Sequence, residues 1–247
     1  MPALYCSPAL LLIRKIKSHK PLEASVAPGE IAASYRRIRA QVPERVRIVV
    51  AAKSRTPEEI AEAIEAGADA VGENYVQEAE AARAALGEAA ARVEWHMIGH
   101  LQRNKVNRAL PLFDVVQTVD SARLARTMSE RAAQPMCVYV EVNIGAEEKK
   151  SGVTPERVEG LLTELSSLSN IRVEGLMTME PFFEDPEKAR PYFQRMNRLF
   201  ESLRALELPN VSLDVLSMGM TNSYEVAVEE GANMVRIGTA IFGPRPV

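Results

Sequence analysis

The stretch VRIVVAAKSRTPEEIAEAIEAGADAVGEN, residues 46–74, contains a complete strand–helix–strand unit. Its first part, Val46–Ala52, is a nearly continuous apolar run of the kind that forms a strand buried on both faces. Thr56 then precedes a proline and two glutamates, which is the usual start of a helix, and Gly67 is placed to end that helix. Ala70–Gly72 begins a second strand. Two strands joined through a helix are predicted to be parallel.

The same alternation of short apolar runs and amphipathic stretches continues to the end of the chain. Eight strands are predicted, at Val46–Ala52, Ala70–Gly72, Val93–Ile98, Val115–Thr118, Met136–Asn143, Arg172–Met177, Leu213–Leu216 and Met234–Ile237. Eight strands alternating with helices in 247 residues predict one α/β domain, a (β/α)8 barrel of the TIM type. A doubly wound Rossmann or flavodoxin-like sheet is the alternative, but no Gly-x-Gly-x-x-Gly follows the first strand.

Residues 1–28 differ from the rest and are predicted to be an N-terminal extension to a barrel over residues 29–247. The apolar patch at 9–13 is too short to span a bilayer, and its positive charges follow it rather than precede it, so neither a membrane segment nor a targeting signal is expected. The formal net charge of −3 lacks the basic excess of a nucleic-acid-binding protein. Cys6, Cys137 and three histidines provide no disulfide framework and no metal site, which predicts a cytoplasmic protein with reduced thiols.

Polar residues follow several predicted strands, and in a barrel they would share one face. In this fold the carboxyl ends of the strands carry the active site, and the loops after strands seven and eight hold phosphate groups. Lys53 follows strand one, Ser217 follows strand seven, and the turn Gly238-Thr239 follows strand eight. Because strand eight closes against strand one, these residues are predicted to converge at one mouth.

The residue types at this mouth favour a phosphate-bearing aldehyde cofactor. The Lys53 amine can form a Schiff base, although a lysine beyond a buried strand is also often just solvated. Arg236 lies between two apolar residues of strand eight, where a buried guanidinium needs a partner. The pyridine nitrogen of pyridoxal 5'-phosphate (PLP) is such an acceptor.

Four further residues are candidates for the same pocket. The loop segment Met218-Gly219 after Ser217 offers a flexible turn to a phosphate, although such strand–helix loops also occur without ligands. His96 either points into the barrel toward the cofactor ring or is a hydrogen-bonded structural residue. Asn74 follows strand two.

Together these segments resemble the PLP homeostasis protein family, the single-barrel relatives of the alanine racemase N-terminal domain. The matching stretches are residues 50–53, 72–78, 95–105, 150–152, 175–177, 216–220 and 235–243. The resemblance implies a fold-type III PLP-protein barrel without the C-terminal β domain. It also implies that Lys53 holds PLP as a Schiff base, that Arg236 faces the pyridine nitrogen, and that the phosphate is held by Ser217, Gly238 and Thr239.

The resemblance implies a cofactor-binding protein that buffers or delivers PLP, with PLP-dependent apo-enzymes as partners and an influence on amino-acid and keto-acid balance. A monomer is expected, because no second domain is predicted that could build a shared site. A racemase needs an acid or base on each face of the substrate Cα, and Lys53 serves only one face. In alanine racemases a tyrosine from an additional C-terminal domain of a partner subunit serves the other, and no such domain is expected here. A PLP-dependent amino-acid racemase with Tyr75 or Tyr224 as the second base stays open, as does a phosphosugar enzyme without the cofactor.

Overall fold

The structure, a computed structural model, describes residues 29–147 and 150–245, so the predicted extension over residues 1–28 lies outside the described residues. Its centre is a closed barrel of eight parallel strands in the order β1 to β8, which confirms the predicted fold. The strands are β1 Arg47–Ala51, β2 Ala70–Glu73, β3 Glu94–Met97, β4 Val115–Val119, β5 Met136–Glu141, β6 Ile171–Met177, β7 Val211–Ser217 and β8 Met234–Ile237.

Helices surround the barrel and connect its strands. They are α1 Glu30–Gln41, α2 Pro57–Glu65, α3 Val76–Leu86, α4 Val106–Ala109, α5 Ala122–Arg131, α6 Val158–Ser166, α7 Arg190–Leu203, α8 Tyr224–Glu229 and α9 Thr239–Phe242. Thr56 begins α2 as predicted: its hydroxyl accepts from the Glu59 amide, and the Glu59 carboxylate accepts from the Thr56 amide. Before α6 and α7 the prolines Pro155 and Pro186 start short 3-10 turns, so the α-helices themselves begin later than the proline positions predict. No helix in the described part of the chain is both long and apolar enough to cross a membrane.

Alternation along the strands divides the apolar residues between two cores. Outward side chains such as Trp95 pack between the barrel and the helices, and the Trp95 indole donates to the Ala90 carbonyl at 2.9 Å. Inward side chains fill a smaller core inside the barrel, formed by Val49, Ala70, Ile98, Val115, Cys137, Tyr139, Met177 and Met234. Other inward positions are polar, among them His96, Gln117 and Arg236, which places charge and hydrogen-bonding groups along the barrel axis.

Closure of the barrel brings the first and last strands together. β1 and β8 pair in parallel, with Val49 opposite Arg236 and Val50 opposite Ile237. Just beyond this pairing a Cβ at Gly238 would lie 3.1 Å from the Ala51 carbonyl oxygen, so the two chains approach closely where both strands end. The loops that carry Lys53 and the Gly238-Thr239 turn are therefore neighbours.

Candidate cofactor site

Lys53 lies half-buried where β1 ends, at the carboxyl mouth of the barrel. Its ammonium nitrogen lies 5.2 Å from the centroid of the Tyr75 ring, which follows β2. Among the described residues no carboxylate lies within ion-pair distance of this nitrogen. A lysine shielded by an aromatic ring and without a counter-ion is well placed to react through its nitrogen.

The loop after Lys53 is held in a defined conformation. Ser54 adopts a left-handed backbone with φ 59°, which is uncommon for a residue with a side chain, and its amide donates to Glu78 Oε2 at 3.0 Å. Arg55 donates to the carbonyls of Gly243 and Pro244, beyond α9. The lysine loop is thus tied both to α3 and to the segment that follows β8.

Glu73, the last residue of β2, is buried beneath this loop. Burial and the neighbouring charge of Glu78 raise the pKa of Glu73 to about 8. The Glu73 carboxyl is therefore protonated at neutral pH, and the Glu78 carboxyl group accepts from the Ser54 amide. The sequence reasoning missed this pair because a glutamate at a strand end looks like a solvated residue.

Arg236 is 4% exposed and points into the barrel from β8. Its guanidinium donates to Ser217 Oγ at 2.7 Å and to the Thr178 carbonyl at 2.7 Å. Burial lowers the pKa of Arg236, and the charges of Glu180 and Glu141 oppose that shift from beyond ion-pair distance. A buried guanidinium bonded to neutral oxygens retains N–H groups for a further neutral acceptor.

Ser217 makes hydrogen bonds to two side chains inside the barrel, and its predicted contact with a phosphate stays a prediction. Its fully buried hydroxyl accepts from Arg236 and donates to Gln117 Oε1 at 2.8 Å. In this arrangement the single hydroxyl hydrogen is used by Gln117. Ser217 orients the guanidinium. Gln117, which sequence reasoning missed, reaches this position because β4 faces the same interior.

Two backbone turns meet beside Lys53 and form the candidate phosphate pocket. The amides of Gly238 and Ala240 approach the Thr221 hydroxyl at 3.3 and 3.4 Å. Two backbone N–H groups and a hydroxyl are thus gathered at one place, and these are groups that can bind an anion. Thr239 is exposed at the start of α9. Thr221 lies two residues beyond the Met218-Gly219 turn and was not among the predicted site residues.

Met218 and Gly219, the other two predicted residues of that loop, shape the loop itself. Met218 is fully buried in the outer core, and its amide donates to the Met234 carbonyl at 3.1 Å, so it does not face the pocket through either group. Gly219 has φ +92°, and a Cβ there would lie 2.5 Å from Ala227 Cβ. The turn can therefore form only with glycine at position 219.

Replacement of Gly219 by alanine is expected to lower the free energy of unfolding by about 2–4 kcal/mol, from backbone strain and overpacking together. Gly160 is the matched control, because it lies in α6 without a positive φ and nothing lies within 4 Å of a Cβ there. Gly160→Ala is expected to be neutral or to stabilise by up to ~1 kcal/mol. Urea denaturation measures both, and equal losses would contradict the strained turn.

His96 lies deeper in the barrel than a contact with the cofactor ring requires. Its Nδ1 lies 2.8 Å from Gln117 Nε2 and its Nε2 lies 2.7 Å from Glu94 Oε1, so Ser217 and Gln117 separate it from Arg236. Burial lowers the pKa of His96, so the ring is neutral. The structure thus supports the hydrogen-bonded alternative for His96.

Asn74 and the two candidate tyrosines are placed as follows. Asn74 lies at the mouth, where its backbone approaches so closely that a Cβ at Gly99 would lie 2.3 Å from the Asn74 carbonyl oxygen. Tyr75 stands beside Lys53 rather than across the barrel from it. The Tyr224 hydroxyl lies within hydrogen-bonding distance of Gln41 and Glu225 on the outside of the barrel. Neither tyrosine therefore faces Lys53 from the opposite side.

Comparison with known proteins places the chain in a family. Residues 26–246 match the family described as alanine racemase, N-terminal domain. The PLP homeostasis protein of Aquifex aeolicus is 41% identical over 202 residues, which cover 81% of this chain and 87% of that protein. The chain belongs to the PLP homeostasis protein family. The Escherichia coli member is 35% identical over 207 residues, covering 82% of this chain and 87% of that protein.

Solved structures of this family and of alanine racemases share the barrel. PipY of Synechococcus elongatus, solved with PLP bound, has a TM-score of 0.79 and 31% identity, and the match covers 86% of this chain and all of PipY. Alanine racemase of Corynebacterium glutamicum has a TM-score of 0.71 at 20% identity, and the match covers 88% of this chain but 62% of that enzyme. The match thus spans the whole of PipY but only part of the racemase.

Proposed function

We propose that the protein binds PLP at the carboxyl mouth of the barrel and serves PLP homeostasis as a carrier. The observation that carries this proposal is the placement of Lys53, which has no counter-ion within residues 29–147 and 150–245, beside the strand that carries the buried Arg236. The family relationship and the PLP-bound PipY support it. When bound, PLP supplies an aldehyde that condenses with an amine and releases water.

The residues at the mouth fit each part of PLP. Lys53 would hold the aldehyde carbon, and the Arg236 guanidinium would donate to the pyridine nitrogen. Because arginine keeps its proton, it leaves that nitrogen unprotonated and weakens the ring as an electron sink. Thr221, with the Gly238 and Ala240 amides, would bind the phosphate. This arrangement favours holding the cofactor over carbanion chemistry.

Thr221→Val, which keeps the shape and removes the hydroxyl, is expected to weaken PLP binding about tenfold, or ~1.4 kcal/mol. Binding of pyridoxal, which lacks the phosphate, is expected to stay unchanged. Equilibrium titration monitored by cofactor absorbance measures both ligands. Equal weakening of both would place Thr221 in general packing rather than at the phosphate.

The carrier function is separated from a racemase by α-proton exchange in deuterated water. The experiment uses PLP-loaded protein, a panel of amino acids, and Lys53→Ala as the control. No exchange above the background of free PLP is the expected result, since a pyridine nitrogen kept unprotonated by Arg236 disfavours loss of the α-proton. Fast exchange that requires Lys53 would establish an enzyme, and the stereochemistry of the product would then identify a racemase.

Delivery to apo-enzymes is tested by mixing loaded protein with a PLP-dependent apo-enzyme. We propose that the protein acts as a monomer, because Lys53, Arg236 and Thr221 come from one chain. Recovery of enzyme activity faster than free PLP release allows would show direct transfer. Recovery at the rate of PLP release would show buffering alone. The monomer proposal is tested separately, by measuring the oligomeric state by sedimentation.

A further inference from the structure

A large cavity lies at the amino mouth of the barrel, opposite Lys53. Its volume is about 950 Å³, at the upper end of the range for small-molecule sites. Its lining includes the first residues of five strands, which are Arg47, Glu94, Val115, Met136 and Met234. None of the mouth residues assigned to PLP lines it. The cavity is therefore separate from the cofactor site.

The rim of this cavity carries uncompensated positive charge. Its acids are already engaged: Glu94 pairs with Arg47 at 2.6 Å, and Glu174 pairs with Arg172 at 2.9 Å. A third acid, Asp114, accepts from the backbone amide that follows Glu94. Two exposed arginines of the rim, Arg45 and Arg131, have no carboxylate partner among the described residues. An anionic group would satisfy them.

The inner walls are apolar and neutral. Cys137 and Tyr139 line the cavity below the rim together with Val215. Burial raises the pKa of both the Cys137 thiol and the Tyr139 hydroxyl, so neither carries charge at neutral pH. A ligand with an apolar body and an anionic end matches this division between walls and rim.

A chain of three hydrogen bonds and one close polar contact runs between the cofactor site and this cavity. Arg236 donates to Ser217, Ser217 donates to Gln117 Oε1, and Gln117 Nε2 donates to His96 Nδ1. With Nδ1 accepting, the neutral His96 ring carries its hydrogen on Nε2, which lies 2.7 Å from Glu94 Oε1. Every donor points the same way, so the orientation of each group fixes the next. Glu94 itself lines the cavity.

We propose that this amino-mouth cavity is a second ligand site, for a small organic carboxylate with an apolar body, and that the chain couples it to Arg236. A carboxylate bound near Arg47 competes with Glu94 for the Arg47 guanidinium. Glu94 is then free to move relative to His96. The change passes through Gln117 and Ser217 to the group that faces the pyridine nitrogen. The site itself stands without the proposed function, whereas the coupling rests on PLP binding.

The site is tested by calorimetric titration of the cofactor-free protein with benzoate and with its uncharged analogue benzamide. Saturable benzoate binding is expected, at least tenfold weaker in the double variant Arg45→Gln/Arg131→Gln, with benzamide unaffected by the substitutions. Both arginines are exposed, so the variant is expected to fold. No saturable benzoate binding, or equal binding by the double variant, would overturn the site.

The coupling is tested by titrating PLP into wild-type protein with and without saturating benzoate. A change in PLP affinity of about fivefold is expected, with a shift in the absorbance of the bound cofactor. Gln117→Leu is expected to bind benzoate but to lose this change. Unchanged PLP affinity in the wild type would overturn the coupling even if Gln117→Leu fails to fold. Absence of PLP binding altogether would contradict the proposed function and leave the benzoate result standing.

Discussion

Lys53→Ala is expected to abolish covalent attachment of PLP and to weaken its binding by about two orders of magnitude, or ~2.7 kcal/mol. The phosphate turns and Arg236 are untouched by this change, so residual non-covalent binding is expected. Borohydride reduction followed by mass spectrometry measures the attachment, and absorbance titration measures the affinity.

Lys188→Ala is the matched control for this result, because Lys188 is an exposed lysine on the 3-10 turn before α7. It is expected to retain full labelling and full affinity. A Lys53→Ala protein that still carries reduced PLP on one residue at wild-type yield would place the reactive amine elsewhere.

Glu73→Gln is expected to stabilise the protein by about 3–5 kcal/mol above pH 8, with the difference vanishing below about pH 4.5. The folded protein raises the pKa of Glu73 to about 8, whereas the unfolded chain releases that proton near its ordinary value. Stability supplied by the protonated carboxyl is therefore complete at low pH and is lost as the pH rises to about 8. Glutamine stays neutral throughout and avoids this loss.

Urea denaturation across the pH range measures this difference. Glu88→Gln is the control, because Glu88 is exposed and its substitution is expected to change stability by less than ~0.5 kcal/mol. A parallel pH dependence for Glu73→Gln and the wild type would show that Glu73 is ionised in the folded protein.

The barrel and the convergence of its ends could be predicted because they depend on periodic features. Apolar runs at regular intervals fix eight strands, and strand order then places Lys53 beside Gly238 without knowledge of any side-chain contact. Arg236 could be predicted as buried because both its neighbours in β8 are apolar. These inferences need only the direction and sequence of the strands.

The roles of Ser217, His96 and Thr221 could not be predicted from the same features. Each depends on how far along the barrel axis a side chain lies and on which partner uses its single hydrogen. Gln117 is the hydrogen-bond partner of both Ser217 and His96, and it lies on a different strand from each of them, far in sequence from Ser217. Thr221 lies in an irregular turn, where no period predicts direction.

Because β1 and β8 must pair before the proposed PLP site exists, PLP binding would depend on completed folding of the barrel. The residues proposed to hold the cofactor come from the first and the last strand–helix units, so neither half of the chain offers a site alone. Pairing such distant segments is slow, because a long loop must close before the contacts form. A ligand that binds only the closed barrel shifts the equilibrium toward the closed barrel by mass action. Cofactor shortage would then lower the amount of its own carrier, through chains that remain open and are degraded.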